Sequence, residues 1–418
     1  MPYPRMLRIR QHFPAQRVEN IPAEVERQLS RLELGQKVRA GDSVAITVGS
    51  RGIAHIEVVT KAIVEHVKSL GGTPFLVPAM GSHGGGTAEG QRAVIEGYGV
   101  TEEYTGAPIR ASMETVIVET TPQGIPVHFD KHAWEADHVI VSGRIKPHTG
   151  FVGEIESGLH KMMLIGLGKH EGAKIYHRAI KDYSFLEIIR AVADVVIERC
   201  HILAGVAIVE NAYDETALIE AVAPAKFFER EVELLKLAKQ WLPRLPLNKI
   251  DLLIVDRIGK DISGTGLDTN VVGRKYAMHA ATARDEIDCT RIFVRGLTKK
   301  TLGNGTGIGL TEFTVQRCVD QIDRHIMQTN CITGGHPEGA MIPCVYDTDR
   351  EAIAAAVSTV GMVELQDARI VQIADTLHLA ELLVSESCAA EISGNPEIEV
   401  IDGPREMAFD ADGFLADV

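Results

Sequence analysis

Two stretches of this chain repeat one order of signals, and that order restricts the fold more than any other feature. Residues 42–48, DSVAITV, form an apolar run of strand length, and a GSRG turn follows. Residues 56–70 then place Ile56, Val59, Ile63, Val67 and Leu70 on one helical face. TPFLVPAM restarts the cycle with a second apolar run. GSHGGG is its turn, and AEGQRAVIEGYG reads as a helix capped by Thr87 and stopped by Gly99. Strand, glycine-rich turn and helix, twice in succession, is the pattern of an α/β protein with mostly parallel strands flanked by helices.

The alternation continues. ETVIVET and IPVHFD read as a hairpin across TPQG, DHVIVSG (137–143) as a buried strand, 183–199 as a helix, 202–212 as a strand and 221–242 as a helix. WLPRLPLNKI (241–250), with its two prolines, reads as a bridge. A second unit starts at IDLLIVDRIG and runs through RIFVRGLT (291–298), a helix over 311–330, a helix over 349–358, the strand ARIVQIADT and a helix over 377–392. The tail after residue 402 is polar and turn-rich. The 418 residues exceed the roughly 250–300 that one core holds, so two α/β domains are expected, 1–245 and 246–418, with the active site in the cleft between them.

Composition narrows the function. A formal charge of −14 with no basic block argues against a general nucleic-acid or membrane-surface binder, and leaves room for a locally basic pocket. No apolar run reaches the ~18 residues of a spanning helix, and the opening MPYPRMLRIRQHFPAQ has no apolar signal core, so a cytoplasmic protein is expected. Six scattered cysteines, none in a C-x-x-C pair, read as reduced thiols.

Chemistry-bearing residues collect in loops after strands. His83 sits within GSHGGG, whose glycines permit positive φ and close backbone approach to an anion. Arg51 in GSRG offers a bidentate match to a carboxylate. SGRIKPHTGFVGEIESGLHKMMLIGLGKHEGAKIYH (142–177) holds His148, His160, His170, His177 and Lys161. The apolar MMLIGLG after Lys161 can bury that lysine and lower its pKa, and the alternative is a lysine snorkelling at a helix start. A zinc set would draw on His148, His160, His170, His177 and Glu154, without a familiar H-E-x-x-H spacing. RIGKDISGTGLDTN offers Lys260, Asp261, Asp268 and Asn270 on a glycine-rich loop.

GSHGGG and KPHTGFVGEIESGLHK, with the histidine that follows them, resemble the nickel-pincer lactate racemase family, within the wider group of 2-hydroxy acid racemases and epimerases. The resemblance runs from about residue 15 to 390. It implies a nickel-pincer nucleotide cofactor, a pyridinium-derived mononucleotide carrying a thioamide and a thiocarboxylate on nickel. Lys161 matches the lysine that links covalently to it, His177 the nickel ligand, and His83 and His148 the paired acid/base histidines. Gly84 and Gly85 are expected beside the cofactor, and Arg51 and Lys260 at the substrate carboxylate. The His148–Lys161 spacing is longer than the family pattern, the glycine pair before the lysine is replaced by Gly-Leu-His, and GSRG replaces the usual early motif, which marks a divergent subgroup. His160 and His170 stay near-site or surface groups.

The implied function is reversible hydride transfer from C2 of a lactate-like or aldonic acid. The implied partners are that small-molecule substrate and the proteins that make the cofactor. Two other readings stand beside it: a metal-dependent lyase or dehydratase on a sugar acid, and a non-enzymatic small-anion-binding protein.

Overall fold

The computed structural model describes residues 2–50, 52–180, 182–275 and 287–418, and the backbone alone of residue 177. Contacts divide the chain into two units. The first comprises Ala15–Pro147 and Gly153–Trp241; the second comprises the N-terminal segment through Pro14, His148–Val152 and Leu242–Val418.

In chain order the strands are β1 (Arg5–Gln11), β2 (Ser43–Val48), β3 (Thr73–Pro78), β4 (Thr115–Thr120), β5 (Pro126–Asp130), β6 (His138–Arg144), β7 (Ile202–Glu210) and β8 (Thr216–Val222). Then come β9 (Lys249–Val255), β10 (Asp288–Val294), β11 (Phe313–Val315), β12 (Cys344–Tyr346), β13 (Ile370–Ile373), β14 (Glu381–Ser385) and β15 (Ile398–Glu406).

The sheet of the first unit has the order β3-β2-β6-β7-β8. It is parallel except for the edge strand β8, which runs antiparallel to β7. Its strands are apolar on both faces because helices cover both. Ala45, Phe75, Val77, Val139 and Val141 point into one core with the helices Phe185–Arg199 and Phe227–Trp241. Val44, Ile46, Leu76 and Ile140 alternate into the other, with Ile21–Ser30 and Ile56–Ser69. The expected hairpin is present as the antiparallel pair β4–β5. The adjacent parallel strands β3, β2 and β6 lead directly into GSHGGG, GSRG and IKPH, so three loops start from one edge of the sheet.

The second unit has the order β12-β11-β10-β9-β13-β14-β1-β15, parallel from β12 to β13 and antiparallel from there to β15. Three expectations change here. Residues 377–392 are not one helix: β14 pairs with β13 and β1, with Leu382 and Val384 fully buried, and only the 3-10 turn Glu386–Cys388 and the short helix Ala389–Ile392 are helical. Sheet neighbours on both sides override local helical preference. Residues 311–330 break into β11, a short helix Gln316–Val319 and a new helix Arg324–Thr333, whose N-terminus Asp323 caps by accepting the Ile326 N–H at 3.0 Å. The polar tail is also structured. It supplies the end of β15, and Leu415 gives its carbonyl to the buried Arg295 guanidinium, which also pairs with Asp256 and Asp349.

All six cysteines are free thiols. Among the described residues no helix is long and apolar enough to cross a membrane.

Candidate functional site

The turn after β3 carries His83. Gly81, Gly84, Gly85 and Gly86 all have φ between +61° and +68°, which explains why glycine fills these positions. Their surroundings differ. A Cβ on Gly84 would lie 2.6 Å from the carbonyl carbon of Gly90 and the nitrogen of Gln91, so this glycine lets the turn close onto the helix Ala88–Gly97. A Cβ on Gly85 would meet nothing within 4 Å. Thr87 caps that helix, accepting the Gly90 N–H at 3.1 Å. His83 is exposed, with its Nδ1 at 2.5 Å from Ser50 Oγ in the neighbouring GSRG turn. Ser50 is held in turn by the Tyr98 hydroxyl, which donates to its carbonyl at 2.8 Å. A hydroxyl both donates and accepts, so Ser50 serves either tautomer of His83.

Beneath this turn lies a group the sequence did not reveal. Lys169 is fully buried and adopts φ +54°, a left-handed conformation uncommon outside glycine. Its Nζ lies 2.9 Å from Asp130 Oδ2 and donates to the Pro78 carbonyl at 2.5 Å and to Gln91 Oε1 at 3.5 Å. Burial pushes the Lys169 ammonium below its usual range while Asp130 opposes the shift. Gln91, also fully buried, donates its amide to the Gly81 carbonyl at 2.8 Å and to the His83 carbonyl at 3.4 Å. The buried lysine of this region is therefore Lys169, and Lys161 is half-buried.

Lys161 ends a short helix, Leu159–Lys161, that starts at Gly158 with φ +92°. The start is fixed by a residue 71 and 72 positions along the chain from it. Glu231 accepts the backbone N–H groups of Leu159 and His160 and pairs with His160 Nδ1. Both side chains are buried, so His160 is a structural partner of Glu231 and not a surface group. Met162–Gly166 continue as a π-helical segment, a form frequent at functional sites. This segment lies directly on glycines of the strand-end turns. A Cβ on Gly143 would sit 2.8 Å from Met162 Cγ, one on Gly81 2.9 Å from Ile165 Cγ2, and one on Gly49 3.5 Å from Met162 Cε. These glycines thus serve to seat the Lys161 segment against the GSRG and GSHGGG turns.

The helix Lys169–Ala179 follows, with residue 177 on it; the His177 side chain lies outside the described residues, as does Arg51. His170, on its first turn, has a buried Nδ1 without a hydrogen-bond partner, 3.7 Å from where a Gly86 Cβ would be.

His148 and Lys260 belong to the second unit. The Gly150 N–H donates to His148 Nδ1 at 3.0 Å and the Phe151 ring stacks on the imidazole at 4.0 Å. In the neutral ring this assigns the proton to Nε2. The segment is held by the loop after β9: Thr269 Oγ1 donates to the Thr149 carbonyl at 2.6 Å, and Asn270 Nδ2 reaches the His148 carbonyl at 3.5 Å. Asp268 organises that loop by accepting the Asn270 N–H at 2.9 Å. Lys260 Nζ donates to the Gly264 carbonyl at 2.6 Å and to Asn330 Oδ1 at 2.7 Å.

The structure therefore brings the His83 turn, Ser50 and the Lys161 segment together at one edge of the first sheet. It places His148 and Lys260 among the loops of the second unit. Sequence reading missed Ser50, Gln91, Asp130, Lys169 and Glu231. Only Ser50 carried a signal, as a short polar residue in a strand-end turn. Among the described residues no three His, Cys, Asp or Glu side chains gather as a metal-holding cluster.

Residues 6–185 match the family model described as the lactate racemase N-terminal domain. No curated protein matches the chain. Among solved structures the chain is similar to the lactate racemase apoprotein from Thermoanaerobacterium thermosaccharolyticum, at 16% identity and a TM-score of 0.49, covering 87% of this chain and 93% of that one. The matched stretch, residues 6–185, holds His83, His148 and Lys161, and over it this chain is similar to the lactate racemase N-terminal domain.

Proposed function

We propose that this protein is a racemase or epimerase of 2-hydroxy acids that works with a nickel-pincer nucleotide anchored through Lys161. The family match carries the reading, because the matched residues 6–185 contain every proposed cofactor and proton-handling position.

Three features of the site fit such a group. The space over Gly85 is open, and the unpartnered Nδ1 of His170 is buried beside Gly86. Lys161 stands at the head of a segment whose start Glu231 pins, so a tether there keeps a fixed origin. Lys161 would hold the group covalently and His177 would be its metal ligand. When bound, such a group supplies a hydride acceptor for C2 of the substrate.

The remaining work falls to side chains of this chain. His83 and His148 handle the proton of the substrate hydroxyl. Imidazole suits this because its neutral and charged forms are both accessible near pH 7. Their settings differ. His148, with Nδ1 occupied by the Gly150 N–H, presents Nε2 as a donor when neutral. His83 can present either a donor or a lone pair at Nε2, because the Ser50 hydroxyl accommodates both at Nδ1. Arg51 and Lys260 are proposed to bind the carboxylate, and the apolar Met163, Leu164 and Leu167 behind Lys161 keep that side of the site dry.

The test is retention. Protein produced together with the cofactor-making proteins is expected to carry one nickel and one organic chromophore, with the intact mass raised by the tethered group. Lys161→Ala is expected to lose the mass increment. A Lys161→Ala protein that still carries the full adduct contradicts the anchoring role.

A further inference from the structure

We propose that Lys169 and Gln91 form a buried relay that positions His83. Lys169 has no exposed surface, and neither does its counter-ion Asp130. A lysine is buried so completely only when paired, and the pairing here is divided. Asp130 uses Oδ1 to cap the helix Lys131–Trp134, accepting the Ala133 N–H at 2.9 Å, and Oδ2 to meet Lys169 Nζ at 2.9 Å. The ammonium has two further acceptors. One is the Pro78 carbonyl, the last of β3, where the His83 turn begins. The other is Gln91 Oε1. The Gln91 amide has a fixed orientation as a result: Oε1 faces the cation, so Nε2 faces the turn and donates to the carbonyls of Gly81 and His83. The relay thus grips the turn at its entry, at its first left-handed glycine and at His83 itself.

The arrangement explains the cost it carries. Lys169 takes a left-handed backbone conformation and a desolvated charge, and both are expected only where surrounding structure fixes them. His83 is exposed, and its turn of four positive-φ glycines is closed by its own backbone bonds from the His83 N–H to Met80 and the Gly86 N–H to His83, so holding His83 against the rest of the fold takes further support. The relay supplies it from below, at residues that do not touch the open space over Gly85.

The inference rests on the racemase reading for the consequence in turnover, but not for the positioning itself. The test uses the full chain and two variants of the neutral member. Gln91→Glu keeps an acceptor for Lys169 and loses the donor to the turn; Gln91→Leu loses both. Hydrogen exchange of the backbone over 80–87 is read by mass spectrometry, with far-ultraviolet dichroism as the check on folding. Both variants are expected to speed exchange in that segment at least tenfold and to leave exchange over 148–152 within twofold. In cofactor-loaded protein kcat for racemisation is expected to fall at least tenfold with KM changed less than threefold. The double variant Lys169→Met with Asp130→Leu, which removes the charge pair together, is expected to show the same local loosening. Unchanged exchange over 80–87 in both Gln91 variants overturns the relay. Faster exchange with undiminished racemisation upholds the relay and overturns the role given to His83.

Discussion

The two histidines proposed to move protons are held in opposite ways. His83 rides a glycine turn that is closed by its own backbone bonds, paired with Ser50 and braced by a charge buried beneath it. His148 carries its own lock, a Gly150 N–H two residues on and a Phe151 ring stacked against it, and its segment is tied down by Thr269 and Asn270 from 120 residues away. One histidine is set by what lies under its turn, the other by what lies beside it. The first arrangement leaves a ring whose tautomer can change, and the second a ring with one preferred tautomer. An enzyme that handles both hands of a substrate has use for that asymmetry.

The comparison can be broken from the His83 side with the largest effect. Lys169→Met alone leaves Asp130 buried without its cation, and a broken buried pair costs about 3–5 kcal/mol. Denaturant unfolding measures it; a loss below about 1 kcal/mol would contradict the pairing.

The next contrast lies within the turn. Alanine at Gly85 bears only the left-handed penalty of about 1–2 kcal/mol, since nothing lies within 4 Å of its Cβ. Alanine at Gly84 adds overpacking against Gly90, roughly 1–3 kcal/mol more. Equal unfolding midpoints for the two variants would show that the turn does not close onto the helix.

On the His148 side, Thr269→Val removes the bond to the Thr149 carbonyl at a cost of about 1 kcal/mol. It is expected to raise hydrogen exchange over 148–152 and leave 80–87 unaltered, the reverse of the Gln91 variants. The smallest effect is expected for Ser50→Ala. It removes the adjustable partner of His83, worth about 0.5–1.5 kcal/mol, and should slow racemisation roughly three- to tenfold without changing stability measurably. A larger loss in one reaction direction than the other must appear in both kcat and KM, because the two directions share one equilibrium constant.

The parallel sheet of the first unit was legible because its strands are short apolar runs bounded by glycine turns, and the hairpin because TPQG separates two alternating stretches. β14 was not, because AELLVSES has helical periodicity and becomes a strand through the neighbours β13 and β1. At the site, the residue types of the loops were legible, and so was the need for glycine. What each glycine packs against was not: Gly143 is small for Met162 and Gly84 for Gly90. Lys169 and His160 were hidden for a related reason. Whether a charged side chain is buried depends on partners distant in sequence, here Asp130 and Glu231, and local sequence holds no trace of them.

The most direct test of the central claim uses lactate and longer 2-hydroxy acids of single hand, deuterated at C2. Each is incubated in ordinary water with protein loaded with cofactor during production. Chiral chromatography follows the hand and mass spectrometry follows the label. The account predicts that at least one acid loses its optical purity with deuterium retained at C2. Every acid keeping its hand, or inversion accompanied by replacement of deuterium with solvent hydrogen, would contradict it.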